Sequence, residues 1–128
     1  MATRYPLVLN GTTIQELQSG DTQIGVFSEL RVAMPANNID LAAANIFTKT
    51  ISTATTLTVS NVPSSGTAAT FILDLTNGGA GTITWWSGVK WAGGTAPSLT
   101  ASGRDVLGFF THDGGTIWTG ILLAKDAK

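Results

Sequence analysis

The side chains able to do chemistry in this chain are few: one histidine, His112, eight carboxylates and no cysteine. A lone histidine excludes a histidine-rich metal site and leaves a Ser-His-Asp arrangement with a single candidate base. His112 stands in "FFTHDGGTIW", beside Asp113 and two glycines, which reads as a solvated turn rather than a catalytic setting. Glu16, Asp21, Glu29, Asp40, Asp74, Asp105, Asp113 and Asp126 are spread out, without calcium-loop spacing. Asp74 and Asp105 are the pair a polysaccharide-cleaving enzyme would use, but nothing around them in the sequence supports that role. "NGGAG" and "AGGTAP" are glycine-rich, yet they lack the Lys-Ser/Thr of a phosphate loop and the helix behind it. They read as turns. The inventory points to no catalytic centre, no metal and no cofactor.

The aromatic residues carry a sharper signal. Three of the four tryptophans, Trp85, Trp86 and Trp91, fall within "TWWSGVKWAGGTAP". Such rings serve either as open platforms for sugars or as buried anchors in a core or subunit contact. On a strand, Trp85 and Trp86 would point to opposite faces, one into the core and one to a second surface. Trp91 falls beside a loop. Ser87, Lys90 and Thr95 are a thin polar complement for a glycan site, so core or subunit contact is the preferred reading and glycan binding the alternative.

Composition sets the background for both readings. Only 12% of the 128 residues are charged, against about 25% in an ordinary soluble domain. Thr, Ser, Asn and 15 glycines fill the polar positions, which favours strands and turns. The net charge is −1 and the seven basic residues are scattered, which excludes the phosphate-neutralising surface of a nucleic-acid binder. The run "YPLVL" is too short for a secretory segment, and no stretch approaches the roughly 20 apolar residues of a membrane helix. The expectation is a chain that folds in the cytoplasm where it is made, without a membrane partner. A surface so poor in ions is suited to being covered by copies or partners.

The elements that must position these residues divide the chain in two. From residue 39 to 128, short β-rich runs such as "NIFTKTI", "TTLTVSNV", "ATFILDLTN", "RDVLGFFTHD" and "TIWTGILLA" alternate with turn-rich breaks. This spacing predicts an all-β domain, an antiparallel β-sandwich of jelly-roll-like form. In "TFILDLT", Phe71, Leu73 and Leu75 share one face, and Ile72, Asp74 and Thr76 the other. The final hairpin, turning at Asp113-Gly114-Gly115, offers apolar side chains to both faces and so is expected between a core and a neighbour. Residues 1–38 read as an extended arm with a small hairpin about Asn10-Gly11, followed by a linker. An isolated hairpin is marginal in water, so the arm is expected to dock.

The opening "YPLVLNGTTIQELQSGD" resembles the start of structural proteins of tailed bacteriophages, especially those of cyanobacteria and other aquatic bacteria. The elements "NVPSSGTA", "WWSGVKWAGGTAPSLT" and "DVLGFFTHDGGTIW" are similar to a C-terminal β domain of such virion proteins. The resemblance implies a non-enzymatic virion protein. With no long shaft between arm and domain, it implies a head decoration, cement or adaptor subunit. A tail-fibre or appendage-tip module binding a host surface glycan is the alternative. The implied partners are further copies of the chain, as a trimer, and a major capsid or neck/tail protein. The interface candidates are Tyr5, Leu7, Leu9, Ile14 and Leu17 in the arm, and Trp85, Trp86, Trp91, Phe110 and Trp118 in the domain.

Overall fold

The computed structural model describes residues 29–128 throughout, together with the backbone of two strands nearer the start. Those strands, β1 (Leu7–Asn10) and β2 (Thr13–Glu16), pair antiparallel with Asn10 opposite Thr13. Tyr5, Leu17 and the side chains of Leu7, Leu9 and Ile14 lie outside the described residues, and with them the contacts expected of the arm.

From Glu29 onward the chain is all-β, as its composition predicts. Its strands are β3 (Arg31–Ala33), β4 (Asn38–Asp40), β5 (Ile46–Thr50), β6 (Thr55–Thr56), β7 (Thr58–Ser60), β8 (Ala69–Thr76), β9 (Ile83–Thr84), β10 (Val89–Trp91), β11 (Arg104–Thr111) and β12 (Trp118–Ala124). Six of them form one sheet in the order β10-β12-β11-β8-β5-β3, and β4-β7 and β6-β9 form two small pairs. Strand β3 and the buried Met34 precede residue 39, so sheet and core reach back into the stretch read as linker.

The sheet is mixed rather than antiparallel. Strands β3, β5 and β8 run parallel to one another, as do β4 with β7, β6 with β9, and β10 with β12. Only β8-β11 and β11-β12 are antiparallel among the described pairs from Glu29 onward. The turn-rich breaks after β3 and β5 are therefore parts of crossovers, residues 34–45 and 51–68, and such connections are what parallel strands require. The crossovers carry β4, β6 and β7, which stack in parallel on neighbouring turns of the chain. Alternation of side chains reports which face a residue occupies, but it carries no information on strand direction.

One core joins these elements. Phe71, Leu73 and Leu75 of β8 are fully buried, as their spacing predicts, beside Phe47 of β5, Leu107 and Phe109 of β11 and Trp118 of β12. Ile39 and Leu57, from the segments of the small pairs, close the same cluster. Burying each such side chain contributes about 1.5–3 kcal/mol.

Asp105 lies on the core side of β11 with no exposed surface. It accepts hydrogen bonds from the Thr100 N–H at 2.5 Å, the Thr100 hydroxyl at 2.8 Å and the Asp126 N–H at 2.9 Å. The carboxylate thereby ties the loop before β11 and the segment after β12 to the sheet. Burial raises its pKa, but the N–H groups of Asp126 and Thr100, the Thr100 hydroxyl and the charge of Lys125 together bring it below the ordinary Asp value. Asp105→Asn is expected to cost about 2–3 kcal/mol near neutral pH. A depressed folded pKa gives stability that is present above the unfolded value, about 3.9, and lost as pH falls through the folded one. Urea denaturation at a series of pH values should show wild type and variant converging in acid. A gap of constant size would refute the role of the charge.

Candidate functional site

The tryptophans meet in one aromatic cluster beneath the sheet. Trp86 lies 4.7 Å from Phe109 between ring centroids, and Trp85 lies 5.7 Å from the same ring. Trp91 stands 5.1 Å from Trp85 and 5.6 Å from Phe109, both nearly edge-on. Trp118 packs edge-on against Phe71 and Trp86. The prediction that Trp85 and Trp86 face opposite ways is corrected by this arrangement. Strand β9 ends at Thr84, so both rings lie in irregular backbone that turns them to the same side. The indole N–H of Trp86 is buried without a protein partner. Trp118 belongs wholly to the chain's own core, whereas Trp85, Trp86 and Trp91 are half-buried at its margin.

Trp91 rests against Gly120 of β12. A Cβ at Gly120 would come within 2.6 Å of the indole ring, so only glycine lets the ring lie there. Gly120→Ala is expected to push Trp91 outward, red-shift tryptophan emission and cost about 1–3 kcal/mol. An unchanged near-UV circular dichroism spectrum would contradict that packing. Beyond the ring opens a groove of about 530 Å³, bordered by Trp91, Ala92, Pro97, Ile121 and Leu122, with Lys90, Thr95 and Thr119 as its polar groups.

The other face of the sheet carries its exposed apolar side chains on the terminal hairpin. Four of the five large apolar side chains left exposed among the described residues belong to the β11-β12 hairpin: Phe110, Ile117, Ile121 and Leu123. The strand register places Ile46, Ile72, Gly108 and Ile121 in one row across β5, β8, β11 and β12. Gly108 leaves the gap in that row that Leu123 covers, since a Cβ there would stand 3.2 Å from a Leu123 methyl. The pairing with β11 shifts register between Val106 and Leu107, yet β12 keeps its alternation, with Trp118 and Gly120 buried and Thr119, Ile121 and Leu123 exposed. The expectation of a hairpin apolar on both sides is met. Of the candidate interface residues, Phe110 lies on this outer face, 39% exposed. Ile121 and Leu123 join it there, on the side opposite Trp118 and Leu122, as the alternation of β12 places them.

The groups considered for catalysis are placed apart. Asp74 projects from the outer face and is paired with Arg104 through contacts of 2.8–3.0 Å. Asp105 points into the core on the other side of the sheet, so the two carboxylates share no cleft. His112 is exposed at the hairpin turn, where the Asp113 carboxylate accepts from the Ile117 N–H and the Thr111 hydroxyl. The Ile117 N–H is the main cause holding Asp113 below its ordinary pKa. Among the described residues, no three His, Asp or Glu side chains gather as metal ligands would. The glycines of "NGGAG" serve a chain crossing, because side chains at Gly79 and Gly81 would collide with the carbonyls of Leu99 and Thr53. Among the described residues, no helix is long and apolar enough to cross a membrane. No protein-family model, curated protein or solved structure matches the chain.

Proposed function

We propose that this chain is a non-enzymatic structural subunit of a phage particle, a head decoration, cement or adaptor protein that self-assembles into a closed oligomer. The observation that carries the reading is the set of exposed apolar side chains of the terminal hairpin, Phe110, Ile121 and Leu123, on the face turned away from the core. Exposed large apolar side chains grouped on one hairpin, in a chain with 12% charged residues, mark a surface built for contact. The phage setting and the trimer rest on the resemblance of the arm and the Trp-rich segment to virion proteins. The segment before β3 is assigned to docking on a shell, neck or tail protein, and the chain from β3 onward to the β domain.

A two-layer β-sandwich of mixed strand direction is the finer form of this architecture, with the six-stranded sheet as one layer and the β4-β7 and β6-β9 pairs contributing to the other. The groove beside Trp91, with Lys90, Thr95 and Thr119 at its border, supports a second reading as a host-glycan site on an appendage tip. Quantitative mass spectrometry of purified particles tests the first reading. The expected result is a fixed copy number per particle in a multiple of the ring size. Absence from particles, with the chain present in the infected lysate, would overturn it.

A further inference from the structure

We propose that strand β1 of one copy adds to the open edge of β12 in a neighbouring copy, an inference that rests on the assembly reading above and names how the copies join. Strand β10 covers β12 only where Val89–Trp91 lie beside Trp118–Gly120. Past Gly120, no described residue pairs with Ile121–Ala124 on the side away from β11. The Trp118 N–H donates to the Gly88 carbonyl on that side at 3.0 Å, and strand alternation aims the N–H and C=O of Leu122 the same way. In place of a strand, the edge faces the apolar groove walled by Trp91, Ala92 and Pro97. An open edge with apolar flanks is the template an extended segment joins, the main chain giving affinity and alternate side chains giving choice.

Strand β1 fits this opening. Leu7–Asn10 matches the length of Ile121–Ala124 and contains no charged residue. Strand β2 contains Glu16 and is less suited to an apolar groove. Donor attachment and acceptor edge lie at opposite ends of the sheet, a placement that suits exchange between copies. The arm joins the domain at β3, at the opposite end of the sheet from the open edge of β12. At about 4.8 Å per strand, five spacings separate them, about 24 Å. A donor at one edge and an acceptor at the other make a head-to-tail contact, which closes into a ring when the rotation permits. Residues 17–30 span at most about 46 Å, so insertion into the same chain is within reach and the experiment must separate the two.

The chain contains no cysteine, so introduced thiols report cleanly. Asn10→Cys ends the arm strand, and Ala92→Cys borders the groove at an exposed position. Mixed in equal amounts under mild oxidation, the two single-cysteine proteins are expected to form a disulfide-linked heterodimer as the main crosslinked species. Adding Val8→Pro to the arm, which removes a strand N–H, should lower that yield at least fivefold. Copies that assemble without this crosslink would overturn the inference and leave the assembly reading standing. So would a disulfide that closes only within a chain carrying both thiols. Protection of the Ala92→Cys thiol from alkylation by a soluble bacterial polysaccharide, without the crosslink, would assign the groove to glycan instead. A chain that stays monomeric at millimolar concentration would defeat both proposals.

Discussion

Changing Phe110 and Leu123 together to lysine should weaken self-association at least a hundredfold while leaving the fold's stability nearly unchanged. Both side chains project from the outer face of the hairpin, 39% and 53% exposed, and neither belongs to the core cluster. Burying the remaining surface of each against a neighbour contributes about 1.5 kcal/mol or more, so losing both amounts to about 3 kcal/mol. Every 1.4 kcal/mol is about tenfold in affinity, and the two added ammonium groups repel across any contact that repeats in a ring. Exposed substitutions of this kind ordinarily shift folding stability by about 0.5 kcal/mol or less. Sedimentation equilibrium and urea denaturation on the same samples read the two quantities separately. An unchanged dissociation constant would remove this face from the interface. A large loss of stability would mean that the face is part of the fold.

Trp118→Ala is expected to produce the opposite pattern, a loss of about 3–5 kcal/mol in folding stability. Trp118 is the largest of the fully buried side chains and meets Phe71 at 5.5 Å and Trp86 at 5.9 Å. Its N–H begins the pairing with β10 through Gly88, so a cavity at this site also loosens the strand that carries Trp91. A domain of this size has about 5–15 kcal/mol in hand, so the variant should unfold well below the wild-type temperature. Calorimetry at matched concentration checks the effect. A loss below about 1 kcal/mol would show that the aromatic cluster repacks without it and does not organise the core.

The sequence is most informative where side-chain alternation is strict. Phe71, Leu73 and Leu75 announce the buried face of β8, and Asp113-Gly114-Gly115 announces the terminal turn, whose two glycines adopt positive φ. The same alternation places Asp105 in line with Leu107 and Phe109, which marks it as an inward carboxylate. Direction is the hidden variable. β5 and β8 look like neighbouring arms of a meander, but they run parallel because the chain between them crosses over through β6 and β7. The paired tryptophans mislead for a related reason. Period two holds only while backbone stays extended, and it lapses after Thr84. Leu123 is exposed with Thr119 and Ile121, opposite the buried Trp118 and Gly120, as the alternation of β12 requires.

The outer face of the terminal hairpin is held to be covered by a neighbour, and sedimentation equilibrium of the full chain from micromolar to millimolar concentration tests that most directly. A single closed oligomer, dissociating only on dilution or on replacement of Phe110 and Leu123, is the predicted result. A species of one-chain mass throughout that range, with Phe110 and Ile121 open to solvent, would contradict it.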